Sequence, residues 1–195
     1  MKTAAQHGAE PASAWVQRWS HLVKPAGRVL DVACGKGRHV RWFHGLGHAV
    51  TGVDISIEAL SSLAPEAEGC ELVASDIEQG LWPFAGRKFD AVVATNYLWR
   101  PLIRTLLDSL APGGVLIYET FTAGNETVGK PSRSDFLLAP GELLDICSSL
   151  RVVAFEDGFY PAAGGSFPRF IQRIAAVREA QSDAGPVRYY LAGSG

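Results

Sequence analysis

A chain of 195 residues that is 47% hydrophobic can bury one sizeable core and has little room for a second domain. A formal charge of −2 and an isoelectric point near 6.2 leave no broad basic field to neutralise phosphates, which argues against general nucleic-acid binding and favours a small-molecule partner. Cys34, Cys70 and Cys147 form no C-x-x-C pair, so neither a disulfide framework nor a metal site is predicted; with no signal-peptide pattern and no apolar run of membrane-spanning length, the chain reads as cytoplasmic and away from membranes.

In chain order, residues 1–11 carry few large apolar groups and are predicted to be disordered. From Ser13, the spacing of Trp15, Val16, Trp19, Leu22 and Val23 predicts an amphipathic helix closed by Pro25 and Gly27, with the Trp pair as packing. Arg28 to Val32 is a buried strand, Arg38 to Leu46 a helix stopped by Gly47, and His48 to Asp54 a second strand. Ile57, Leu60 and Leu63 mark a helix ended by Pro65, and Cys70 to Ala74 a third strand running into Ser75-Asp76-Ile77. Leu81 to Phe84 reads as a loop with exposed aromatics, Phe89 to Ala94 as a fourth strand, and Pro101 to Leu110 as a helix. Ala111-Pro112-Gly113-Gly114 signals a turn before a fifth strand, Val115 to Phe121. Pro140 to Ser149 is predicted helical with proline at its start, and Leu150 to Phe155 is a sixth strand. A turn-rich gap (Gly158, Pro161, Gly164, Gly165) leads to a last strand bearing Phe170, Ile171, Ile174 and Val177. No helix separates these two strands, so they should pair antiparallel, because a parallel return needs a crossover. The domain is expected to occupy 12–179, followed by a mobile tail over 180–195.

The segment 28–39, Arg28-Val29-Leu30-Asp31-Val32-Ala33-Cys34-Gly35-Lys36-Gly37-Arg38-His39, organises the rest. A strand ends in an acid and a glycine-bearing turn that opens a helix, an arrangement that brings unpaired N–H groups and close-approaching backbone to a nucleotide-like ligand. Asp54, 17 residues past Gly37, stands near the offset at which such units place a carboxylate on ribose hydroxyls; its plainer role is to cap the helix near Ser56. Asp76 puts a third acid at a third strand end, and ligands of open α/β sheets collect at the carboxyl ends of strands. Val40 fills the place of the third glycine of a dinucleotide fingerprint, which counts against a nicotinamide enzyme, and no P-loop is present.

Taken in order, LDVACGKGRH, VTGVDIS, SDIEQG, FDAVVATNYL and LAPGGVLIYETF resemble the successive motifs of the class I S-adenosylmethionine-dependent methyltransferases over about residues 28 to 178. NYLWRPLI and GNETVGKPSRSDFLLAPGELL resemble the small bacterial tellurite-resistance type within that family. The resemblance implies an α/β, Rossmann-like, doubly wound seven-stranded sheet, mostly parallel with an antiparallel last strand. S-adenosylmethionine would border Asp31, Ala33, Cys34, Gly35, Gly37, Asp54, Ile55, Asp76, Ile77 and Asn96. In that scheme Asp31 organises the turn and meets the methionine amino group, Asp54 takes both ribose hydroxyls, and Asp76 with the Ile77 backbone meets the adenine. Three carboxylates suit a cationic cofactor and would repel a pyrophosphate. Many members carry glycine where this chain has Ala33, an alanine that should be tolerated if its φ is negative.

Methyl transfer from a sulfonium requires alignment more than a covalent nucleophile. By position the candidate proton acceptors are Tyr97, Glu119 and His39, against plainer roles as pocket wall, as a strand-end charge paired with Lys130 or Arg133, and as a first-turn helix residue. Asn96, Tyr97, Trp99 and Arg100 are expected on the methyl side as an aromatic wall. Thr122 to Ala139 reads as a lid that would bring Lys130 and Arg133 near the acceptor, or as a loop packed rigidly against a dimer partner. The function so read is methyl transfer to a small-molecule acceptor. A protein or RNA methyltransferase and a catalytically silent cofactor-binding partner are the alternatives.

Overall fold

A computed structural model describes residues 10–161, 167–180, 185 and 187–191. The predicted disorder of residues 1–11 therefore falls almost wholly outside the described residues, as does most of the tail from Gln181.

The chain opens with α1 (Ala14–Trp19), capped by Ser13, whose Oγ accepts the Trp15 N–H, and continued by a 3-10 turn over Ser20–Leu22. Then follow β1 (Arg28–Val32), α2 (Arg38–Gly45), β2 (Ala49–Asp54), α3 (Ile57–Leu63), β3 (Glu71–Ala74), β4 (Phe89–Thr95), α4 (Arg100–Asp108), β5 (Leu110–Phe121), α5 (Glu142–Ile146), β6 (Arg151–Tyr160) and β7 (Arg169–Val177). The seven strands form one sheet in the order β3-β2-β1-β4-β5-β7-β6. β1 to β5 pair in parallel, while β7 runs antiparallel to both β5 and β6, as the helix-free gap requires.

Alternation along the central strands divides the core into two layers. Leu30, Val92, Ala94, Leu116 and Tyr118 face α4 and α5, whereas Val29, Ala91, Val93, Val115 and Ile117 face the layer that holds α1, α2 and α3. Trp15 and Trp19 are packing residues: both are buried, their rings meet edge to face at 5.6 Å, and the Trp15 indole donates to the Ile174 carbonyl.

Four local expectations change. Phe84 is buried rather than exposed, because it packs edge-on against Phe89 and beneath the Arg87 guanidinium, while Trp82 is half-buried beside it. The predicted turn at 111–114 lies inside β5: Leu110 pairs with Phe89 and the register shifts before Ala91. A Cβ on Gly114 would stand 2.9 Å from the Phe89 carbonyl oxygen, so glycine lets the strand continue through a bulge instead of ending. The helix predicted over 140–149 shortens to α5 because Gly141 takes a left-handed φ of 75° just before it. Finally, β6 runs through Gly158 to Tyr160, since its whole length pairs with β7; residues 162–166 lie outside the described residues.

The long excursion after β5 is fastened at both ends. Gln172, fully buried on β7, accepts the Leu143 N–H with Oε1 (2.6 Å) and donates through Nε2 to the Ala139 carbonyl (3.0 Å) and Asp157 (2.9 Å). Asn125, 1% exposed, donates to the Pro131 carbonyl and accepts the Phe170 N–H. Only the stretch from Glu126 to Phe136 between these anchors is largely exposed.

Candidate active site

The strand order reverses direction between β1 and β4, so the segments leaving their carboxyl ends diverge and open a crevice. A cavity of about 370 Å³ occupies it, lined from the β1 side by Ala33, Cys34, Gly35, Lys36, Arg38, His39 and Arg41, from the β4 side by Thr95 and Asn96, and closed by Glu10.

The turn on its floor is built by backbone geometry. Gly37, at φ 72°, caps α2 with its main chain alone, and a Cβ there would meet Leu63 Cδ2 at 2.2 Å. Ala33 has φ 52°, so the negative angle that would make alanine unstrained is not met: the Cys34 N–H reaches across to the Val53 carbonyl, and holding that bond while turning into the loop forces the left-handed conformation. Ala33→Gly is therefore expected to stabilise the protein by about 1 kcal/mol, a rise of about 2–4 °C in Tm for a chain of this size. Thermal unfolding checks this, and a lowered Tm would show that the turn carries no strain.

The three acids occupy their expected strand ends with different partners. Asp54 Oδ2 accepts the Gly35 N–H at 2.7 Å and Oδ1 accepts the Ser56 N–H at 2.9 Å, so one carboxylate ties the glycine turn to the start of α3. The helix cap itself is Ser56, whose Oγ accepts the Ala59 N–H. Asp76 Oδ1 accepts from Glu78 and Gln79, shaping the turn after β3. Asp31 is 1% exposed and its Oδ2 has no hydrogen-bond partner. Burial pushes the Cys34 thiol pKa up, and the nearby Asp31 and Asp54 carboxylates push it further, which places these two acids around one point and leaves the thiol protonated.

Residues 29–114 match the family model described as a methyltransferase domain. Over these residues the chain is similar to methyltransferase domains. It is 33% identical over 101 residues to a malonyl-[acyl-carrier protein] O-methyltransferase of Enterobacter lignolyticus (strain SCF1), a match covering 49% of this chain and 39% of that protein. The chain thus spans about two-fifths of the length of the curated relatives it matches. The structure of TehB from Haemophilus influenzae superposes with a TM-score of 0.70 at 19% identity, covering 82% of this chain and 60% of that one. The glycopeptide N-methyltransferase MtfA, complexed with S-adenosyl-L-homocysteine, gives 0.60 at 19% identity and covers 87% and 90%. Among the described residues, no helix is long and apolar enough to cross a membrane.

The other site residues predicted from sequence scatter. Asn96, at φ 55°, lines the cavity, and Ile55 is 68% exposed beside Asp54. Ile77, Tyr97 and Trp99 pack against the α4 core layer, so they form no aromatic wall around the cavity. Burial raises the Tyr97 phenol pKa, and the Glu78 and Asp76 carboxylates add to the shift, which keeps it protonated at neutral pH. Arg100 is a strut: it forms a bidentate pair with Glu142 and donates to the Asp135 and Leu137 carbonyls. Arg133 pairs with Asp135 and stacks on Phe136, and neither it nor Lys130 lines the cavity. Glu119 pairs with neither of them. It is buried at the end of β5, where it accepts from the Ser13 hydroxyl (2.9 Å) and from Arg173 (3.2 Å), whose guanidinium also stacks on Trp15 and bonds Glu156. His39 is 2% exposed, and its Nε2 accepts the Ser13 N–H.

Sequence reasoning missed Glu10, Lys36, Arg38 and Arg41 as lining residues. The only signal was the clustering of three cations around the glycine turn. Arg38 donates to Thr95 Oγ1 (3.2 Å), bridging the two sides of the crevice, while Arg41 turns toward the Lys36 carbonyl and Glu66.

Proposed function

We propose that this protein transfers the methyl group of S-adenosylmethionine to a small-molecule acceptor whose attacking atom arrives unprotonated. The observation that carries the cofactor reading is the Asp31 oxygen, buried and without a partner beside a cavity at the switch point of the sheet. A buried carboxylate oxygen is costly until a cationic donor meets it, and the ammonium of an amino-acid end is such a donor. Asp54 retains lone pairs for ribose hydroxyls beyond the two backbone N–H groups it already accepts, and the exposed Ile55 offers an apolar face near it. Asp76 and the Ile77 backbone stand on the adenine side. When bound, the cofactor supplies an activated methyl on a sulfonium, open to in-line displacement.

The acceptor reading follows from the three candidate bases. The Tyr97 phenol holds its proton, Glu119 is engaged by Ser13 and Arg173, and the acceptor nitrogen of His39 is taken by the Ser13 N–H. With those groups committed, the residues' task is to orient and to exclude water, which suits an acceptor already deprotonated at neutral pH, such as a carboxylate or oxyanion.

Calorimetric titration with S-adenosylmethionine, S-adenosylhomocysteine and NAD, followed by a turnover panel of thiols, amines, phenols, carboxylates and metalloid oxyanions, tests both halves. Heat from the two methionine compounds and none from NAD is expected, with turnover on an anionic member of the panel. Tight NAD binding without heat from the methionine compounds would sink the cofactor reading. Turnover confined to neutral amines would sink the acceptor reading.

A further inference from the structure

His39 connects two parts of the molecule that the sequence keeps 26 residues apart. Its Nε2 lies 3.2 Å from the Ser13 nitrogen and accepts that N–H, so the neutral ring carries its proton on Nδ1. Nδ1 in turn faces Asp31 Oδ1 at 3.7 Å, with ring and carboxylate both almost wholly buried. The two oxygens of Asp31 are thereby made unequal: Oδ1 is drawn toward the ring N–H, and Oδ2 is left without a partner. Ser13 is held from its other side by Glu119, itself fixed by Arg173, so the imidazole leans on a buttress that cannot easily shift.

We propose that His39 is a positioning residue for Asp31, fixing the rotation of its carboxylate so that Oδ2 is presented to the ammonium of the cofactor's amino-acid end. This rests on the S-adenosylmethionine reading above and assigns His39 a role in binding in place of one in proton transfer. A carboxylate free to rotate in an apolar setting would lose part of its charge-assisted bond to the ordering of its own side chain; a ring N–H facing one oxygen at 3.7 Å, an electrostatic contact longer than a hydrogen bond, biases that rotation and lessens the loss.

Two substitutions separate positioning from simple anchoring. His39→Asn places an amide N–H near the Nδ1 position and gives up the contact to Ser13, whereas His39→Gln places a carbonyl oxygen near Nε2 and gives up the donor to Asp31. Binding of S-adenosylhomocysteine is compared with that of 5′-methylthioadenosine, which shares the nucleoside but has no amino-acid end. His39→Gln is expected to weaken S-adenosylhomocysteine by about tenfold and His39→Asn by less than about threefold, with 5′-methylthioadenosine within about twofold of the parent in both. The opposite ranking, with Asn impaired and Gln normal, would mean that His39 only anchors the segment before α1, and would overturn the proposal. Equal loss of both ligands in both variants would make His39 a general structural residue and overturn it as well. A parent protein that binds neither ligand overturns the cofactor reading and this role together, whereas parent binding with insensitive variants overturns this role alone.

Discussion

Asp54→Ala is expected to weaken S-adenosylhomocysteine binding by about a hundredfold and to cost about 2 kcal/mol of stability. The first figure is what losing charge-assisted bonds to two ribose hydroxyls amounts to, at roughly 1.5–3 kcal/mol each with water recovering part of it. The second reflects a role visible only in the fold: the carboxylate accepts the Gly35 and Ser56 N–H groups and so joins the glycine turn to α3. Asp54→Asn is the milder change when the sequence alone is considered, because it keeps one acceptor. The structure makes it nearly as severe for stability, since each oxygen faces a backbone donor and an amide nitrogen would set N–H against N–H. Calorimetry and denaturant unfolding on the two variants measure the effects separately. Parent-like affinity in Asp54→Ala, accompanied by lost stability, would reduce Asp54 to a residue of the turn.

Gln172→Leu is expected to destabilise the protein by about 2–3 kcal/mol. The side chain is fully buried, and its amide satisfies the buried Leu143 N–H and, nearer the surface, the carbonyl of the exposed Ala139. Leaving the Leu143 N–H unpaired costs roughly 1–3 kcal/mol, and the Ala139 carbonyl and Asp157 lose a donor that water replaces in part. Because Gln172 holds the far end of the 122–139 excursion, hydrogen exchange there should rise before global unfolding, while β1 and β4 keep their protection. A change under 1 kcal/mol, or exchange that rises equally in β1, would show that the excursion is held by its apolar contacts at Leu137 and Leu138 instead.

These two residues mark the boundary between what was legible and what was not. The strand, turn, helix, strand and acid from β1 to Asp54 could be read because each piece depends on neighbours: alternation and apolar runs for strands, 3.6-residue spacing for α2, glycine where the chain turns. The antiparallel end of the sheet was legible for a similar reason, since the missing crossover is itself a local feature. By contrast, Gln172 gives no sign in the sequence of being the clamp of a segment that begins 50 residues earlier.

Polar partners were the main loss. Glu119 had Lys130 and Arg133 within easy reach along the chain, yet it pairs with Arg173 and with Ser13, the latter 106 residues away. Asp31, Glu119 and Arg173 meet Ser13 and His39 only because strand alternation puts the first three on the sheet face that α1 and α2 cover. By itself, then, the sequence determined the elements, the acids at the ends of β1, β2 and β3, and the turn between β1 and α2, since periodicity and turn chemistry act over a few residues. Tertiary structure decided that β4 lies beside β1 and opens the crevice, that Ala33 is forced to positive φ, and which oxygen of Asp31 is left unpaired. Those outcomes depend on packing between distant segments, where many pairings are chemically acceptable and burial selects among them.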